Sequence, residues 1–484
     1  MLPEKLLGLG ADLTGITLLS VVGMSDDANV ILATGQYASS SGTAPAMFHI
    51  RLSDGDADGD GIPDDWEING VPYVDADGNE QRYILPGANP QRKDIYVEMD
   101  MGPVGMPPQA IAKVVQAFAN APVDNPDGSI GITLHVLVDE VNLPFGTVSS
   151  TTLSFPFDFP SHRDAHFGTP EERLPSPIDP TVIARLEAKA KVFRYCIVYG
   201  DINFVDPGSP WNGVSNDIPG NFMALYGNSA FLAPGSFREN DAWAGVFMHE
   251  LGHLLGLRHG GGDDFHGKPN YVSVMNYALS KPKPWSKKFW RLDYSREQLA
   301  TLDENMLNQS VGINSTKYRA YSMPFGRGPE NNRSYGLVRL FGKPTDFTGD
   351  GNRFGVVAQD LTFIGPGAGV AGVASPTPGD TLHGHNDWAN IKYLPPPLGN
   401  LRDITAVQGC PNEQTFAFLT ENVPEPCDAD LDGDGVVDIK DLMEVIAHMG
   451  AVGDPGDPGD VNLDGVVDFD DLAEVLSQFG QPCP

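Results

Sequence analysis

The chain has 484 residues, long enough for two to four domains, and its apolar fraction of 41% is ordinary for a globular protein. Its 64 acidic residues outnumber 31 basic ones and give a formal net charge of −33. That balance argues against nucleic acid and against an anionic membrane surface as partners, and no apolar run reaches the length of a membrane span. The opening Met1-Leu2-Pro3-Glu4-Lys5 holds one base and one acid, and Gly and Asp break the apolar stretch after it. No signal peptide is predicted there.

Residues 1–52 alternate short apolar runs (16–22, 30–33, 46–52) with turn-forming residues, which predicts a β-meander like the end of an extracellular β-repeat. Residues 53–80 read as an acidic loop and linker. The unit from 81 to 408 alternates strands and helices. Strands are expected at 94–101, 130–139 and 192–201, and helices at 109–120 and 181–191. Residues 140–180, rich in Pro and aromatics, read as an irregular insertion. Residues 222–226 are expected at the sheet edge. A helix over 241–255 follows, with Asn240 or Asp241 as N-cap. The fold class is α+β, with a mixed, mostly parallel twisted sheet. Residues 409–426 read as a linker, and 427–484 as a small helical module.

Acidic residues cluster in loops. From Asp56 the chain places Asp56, Asp58 and Asp60 at positions 1, 3 and 5 of a calcium loop. Gly61 supplies the sharp turn, Ile62 a carbonyl, Asp64 position 9 and Glu67 the closing ligand. Asp75-Ala76-Asp77-Gly78-Asn79 echoes it weakly, and Asp346 to Asn352 is a degenerate version. The pattern returns twice near the C-terminus with a period of 30. One copy uses Asp430, Asp432, Asp434, Val436, Asp438 and Asp441; the other uses Asp460, Asn462, Asp464, Val466, Asp468 and Asp471. Each runs into one helix, and position 12 is Asp rather than Glu.

His249-Glu250-Leu251-Gly252-His253-Leu254-Leu255-Gly256-Leu257-Arg258-His259 fixes five positions. Three are His, a residue used only 11 times in the chain. His249 and His253 are i and i+4 and share one helix face. Glu250 is placed as general base for a metal-bound water. Gly256 ends the helix in a left-handed turn and returns His259 as third ligand. Three imidazoles leave a fourth tetrahedral position for water, the pattern of a catalytic zinc.

This stretch resembles the metzincin metallopeptidases, as does Ser273-Val274-Met275-Asn276-Tyr277, sixteen residues after His259. The resemblance covers about residues 93–277. It implies zinc on His249, His253 and His259, Glu250 as base, Met275 as the hydrophobic floor and Tyr277 as an auxiliary group. It also implies that the sheet edge pairs with a protein or peptide substrate. The loop at Asp56 is similar to EF-hand and thrombospondin type 3 calcium loops. The duplicated C-terminal loops resemble a dockerin, which implies two calcium ions and a cohesin-like partner. The dockerin recognition positions here are Ile439, Lys440, Phe469 and Asp470. Together these resemblances imply an extracellular or cell-surface endopeptidase with a calcium-dependent tether. The alternative is a latent or non-catalytic adhesion protein.

Cys196 lies in an apolar run and reads as a buried strand residue. Cys427 with Cys483 and Cys410 with Cys427 are competing disulfides. The pairs His162/His166 and His383/His385 read as structural.

Overall fold

The computed structural model describes residues 16–24, 30–39, 42–51, 55–103, 105–143, 159–201, 211–227, 239–283, 286, 290–319, 321–327, 334–362, 379–395, 408–411, 427–432, 435–452 and 458–481. The expected meander is present: β1 (Ile16–Met24), β2 (Val30–Ser39) and β3 (Gly42–Arg51) pair antiparallel in chain order. Next come α1 (Asp64–Asn69) and a hairpin of β4 (Val71–Val74) and β5 (Glu80–Tyr83). The following elements are β6 (Asp94–Met101), α2 (Pro108–Ala119), β7 (Thr133–Val138), α3 (Phe159–His166), α4 (Pro180–Ala190), β8 (Phe193–Asp201), β9 (Trp211–Ser215), β10 (Phe222–Gly227) and α5 (Glu239–Leu254). A second hairpin, β11 (Ser322–Arg327) and β12 (Ser334–Arg339), precedes β13 (Gln408–Pro411) and the helices α6 (Ile439–His448) and α7 (Phe469–Gln478).

The central sheet has the order β13-β9-β10-β8-β6-β7. Strands β7, β6, β8 and β10 are parallel. β9 runs antiparallel to β10, and β13 antiparallel to β9. The chain is therefore mixed α/β with a mostly parallel sheet. Among the described residues no helix is long and apolar enough to cross a membrane.

Side chains on β6 alternate between two cores. Ile95, Val97 and Met99 pack with Cys196, Val198, Met223 and Leu225 under α2 and α5. Tyr96 faces the other way, with Tyr195, Ile197, Phe222 and Ala224. α2 forms because its buried Ala110, Val114, Ala117 and Phe118 recur at helical spacing and face that first core. α4 starts where the Asp179 side chain accepts from the amides of Thr181 and Val182, with Pro180 in the first turn. A third core, with Leu279, Leu299, Met323, Phe325, Val338 and Leu361, surrounds the β11–β12 hairpin.

Five expectations are corrected. Residues 222–226 are not an edge: β10 lies inside the sheet, because Phe222 to Leu225 are buried on both faces. The edge on that side is β13, with β9 between it and β10. Residues 53–80 are no linker, since Ile62 and Val71 enter the second core. Residues 409–411, read as linker, belong to the sheet. The insertion at 140–180 contains α3, and α5 begins at Glu239, so Asn240 and Asp241 lie inside its first turn. Asp241 pairs there with Lys113 of α2.

The C-terminal module has its own small core of Ala429, Val437, Val445, Val461, Val467 and Val475. It is also anchored. Arg339 Nη1 donates to the carbonyls of Asp428 and Asp430 at 3.0 Å each, and Leu463 packs into the core around the β11–β12 hairpin.

Arg194 on β8 is fully buried and holds the end of α5. Its guanidinium donates to the carbonyls of Tyr393 (2.7 Å), Lys392 (2.9 Å) and Leu254 (3.5 Å). Burial lowers its pKa to about 9, and the negative end of the helix dipole favours its charge. Each buried carbonyl left without a donor costs about 1–3 kcal/mol. Arg194→Met should therefore lower the unfolding free energy by about 3 kcal/mol or more, read by denaturant titration. A loss below about 1 kcal/mol would show that water replaces the guanidinium.

Candidate metal centre

α5 carries His249, Glu250 and His253 into the space between the sheet and the 273–277 turn. All three are fully buried, and His259 is 1% exposed. The helix ends as expected: Gly256 has φ +93°, and the Leu257 amide reaches back to the Gly252 carbonyl at 2.9 Å. That left-handed turn swings His259 beside the other two. One ligand atom from each of the three imidazoles lies within 4.8 Å of the others.

Two hydrogen bonds aim the rings. His249 Nδ1–H donates to the Val274 carbonyl, and His253 Nδ1–H to the Leu257 carbonyl, both at 2.8 Å. Their Nε2 atoms, and both ring nitrogens of His259, are buried without a hydrogen-bond partner. Buried imidazole nitrogens without partners are costly unless something binds them. Burial also pushes the His249 pKa down to about 4 and those of His253 and His259 well below the usual histidine value. The rings are thus neutral and their open nitrogens carry lone pairs, the form a metal takes. The residues present fit zinc: three neutral imidazoles, two oriented by backbone carbonyls.

Met275 is fully buried beneath the helix. A Cβ on Gly252 would lie 2.3 Å from Met275 Sδ, so residue 252 must be small for the turn to pack flat on α5. Tyr277 is 1% exposed, with its ring centroid 5.6 Å from that of His249 and 4.5 Å from that of His259. Every residue expected at this centre is therefore gathered there. Glu250 touches β9: a Cβ on Gly213 would lie 2.6 Å from Glu250 Cγ.

One residue was missed. His266 is 3% exposed, and its ring lies 4.3 Å from that of His259 and 4.7 Å from that of Tyr277. Neither ring nitrogen has a hydrogen-bond partner, and burial lowers its pKa to about 3. It falls outside the motif spacing, so only the fold brings it in.

The loop at Asp56 is wound by its own carboxylates. Asp56 accepts from the amides of Gly59 and Gly61, Asp58 from Asp60, Asp60 from Ile62, and Asp64 from Ala57. Asp58, Asp60 and Glu67 are buried, and both Glu67 oxygens lack a partner. Asp94 at the start of β6 joins Asp60 and Glu67 in one group able to hold a cation. Sequence spacing alone could not reveal it. This donor set of hard oxygens fits calcium.

In the C-terminal module, Asp430 and Asp460 accept from the amides of Gly435 and Gly465, both at 3.0 Å. Asp441 and Asp471 each gather three backbone amides, and they form capping boxes with Asp438 and Asp468. Asp432, Val436, Asn462, Asp464 and Val466 lie on the same two loops, and Asp434 lies outside the described residues. The weaker echo at Asp75 is closed by its own amide bonds, as is the Asp346 loop. Three other histidines meet side chains nearby: His166 meets Glu140, His383 meets Thr301 and His385 meets Asp387. The His162 side chain lies outside the described residues. Cys196 is free and buried, as expected, and Cys427 is disulfide-bonded. The side chains of Cys410 and Cys483 lie outside the described residues, so both pairings stand.

A further acidic group sits at the carboxyl ends of β6 and β7. Asp100 accepts from the Tyr195 hydroxyl and faces Asp139, and burial pushes its pKa up to about 8. Glu98 beside it is paired with the fully buried Lys189. Alternation along β6 puts this group on the face opposite the histidines.

No protein-family model matches the chain, and a comparison with curated proteins found no match.

Without calcium, burial raises Asp58 to about 6, Asp60 to about 8 and Glu67 to about 9. The folded chain then binds protons that the unfolded chain has already lost. The loop's contribution to calcium-free stability should therefore be fully present near pH 4 and be lost as pH rises toward 9. Bound calcium keeps these carboxylates ionised and removes that loss. Melting temperatures measured from pH 5 to 9 with and without chelator should diverge as pH rises. A gap that narrows with pH would contradict this account of the loop.

Proposed function

We propose that the chain is a zinc-dependent endopeptidase of metzincin type, acting outside the cell. One observation carries the reading: three neutral, buried imidazoles with open ring nitrogens converge beside Glu250, and Glu250 abuts β9, the strand next to the sheet edge. Zinc bound to His249, His253 and His259 would acidify a coordinated water and polarise a carbonyl. Glu250 takes the proton from the attacking water and delivers it to the leaving nitrogen. Tyr277 is assigned to the developing oxyanion. The backbone of an extended substrate is held by strand pairing at the edge. Met275 keeps α5 and the 273–277 turn in register.

The calcium loop at Asp56 braces the start of β6, through Asp60 Oδ2 accepting from the Asp94 amide at 2.7 Å. The C-terminal module is read as a dockerin-like tether that binds two calcium ions and a cohesin-like protein. Ile439 and Phe469, at matching loop positions, are 56% and 76% exposed, as a recognition face requires. A latent or adhesive role remains the second reading, favoured by β13 lying on the edge that a substrate would use.

Glu250→Gln should lower kcat by about 10²–10⁴-fold while zinc content stays near one per chain. Elemental analysis beside cleavage of denatured casein checks both. Full activity in Glu250→Gln would remove Glu250 as the base, and absence of zinc after loading would overturn the reading.

A further inference from the structure

β9 would be the outer strand of the sheet were it not for β13. An outer strand offers a row of backbone N–H and C=O groups to any extended peptide. Here the chain supplies that peptide itself. Gln408 pairs with Ser215, Gly409 with Val214, Cys410 with Gly213 and Pro411 with Trp211, all antiparallel. Gly213 is the residue whose backbone touches Glu250. Paired strands lie about 4.8 Å apart. The Gly409–Pro411 backbone therefore passes one strand spacing from the strand residue that meets Glu250.

The strand is poorly built for a purely structural role. It is four residues long, its register breaks between Cys410 and Pro411, and Pro411 has no N–H to donate. It also lies between the sheet and the C-terminal module, whose described residues begin at 427.

We propose that residues 408–411 are an internal substrate, and that the chain cuts its own backbone in this segment. The inference rests on the peptidase reading above. Water adds across one peptide bond of β13 and the carbonyl carbon–nitrogen bond breaks. Glu250 carries the water proton to the leaving amide nitrogen, and the products are a carboxylate and an amine. The cut separates the sheet-bearing unit from the covalent link to the tether. Arg339 and Leu463 then hold the two pieces together.

The test incubates the full chain with zinc and calcium over a hundredfold range of chain concentration. Intact mass and terminal sequencing locate any cut, and denatured casein reports cleavage of added protein. The expected result is a cut within 408–412, first order and independent of chain concentration, and absent in Glu250→Gln. Gly409→Pro should slow that cut at least tenfold while casein is still degraded. Casein cleavage with an intact chain overturns the inference alone, as does a cut elsewhere or a rate that rises with chain concentration. Cleavage of neither by a zinc-loaded chain overturns the peptidase reading itself.

Discussion

The geometry of the centre hangs on two hydrogen bonds from imidazole Nδ1 atoms to backbone carbonyls. Each fixes a ring so that Nε2 points inward, and neither carbonyl belongs to α5. Val274 offers its oxygen only because the 273–277 turn is pressed against the helix, where Gly252 leaves room for Met275. Leu257 offers its oxygen only because Gly256 turns the chain left-handed directly after the helix. Arg194 then ties that helix end to β8 and to the carbonyls of 392 and 393. A site held this way is preorganised: the rings need no reorientation when an ion arrives.

Much of the centre was legible because helical spacing and a short turn are local constraints. His249, Glu250, His253, Gly256 and His259 lie within eleven residues, and the chain can reach only a few arrangements from them. The acidic loops were legible for the same reason. What escaped was non-local. Asp94 joins the Asp56 loop across 34 residues, and His266 stacks on His259 only because a loop folds back. The edge was misplaced because Phe222 to Leu225 has the stronger strand composition, whereas Trp211-Asn212-Gly213-Val214-Ser215 carries Gly and Asn. The edge itself is β13, whose Gln408-Gly409-Cys410-Pro411 has weaker strand composition still.

The large negative charge divides between two physical jobs. In the loops, carboxylates wind the backbone by accepting its amides, and their remaining oxygens converge. Within the sheet, buried acids at the ends of β6 and β7 are balanced by Lys189 and Arg173, taken from α4 and the segment before it. Acids of the first kind would be balanced by a cation from solution; those of the second are balanced by the chain's own. On the proposed reading, any coupling of the folded state to calcium runs mainly through segments that join elements.

That coupling bears on how the module and the sheet communicate. Arg339 ends the β11–β12 hairpin and donates to the carbonyls of Asp428 and Asp430, at the start of the first C-terminal calcium loop. The same loop brings Gly435 against Arg353 of the preceding unit. On the proposed reading, an ion in this loop would shape the carbonyls that Arg339 grips, which would link calcium occupancy and docking as free energies.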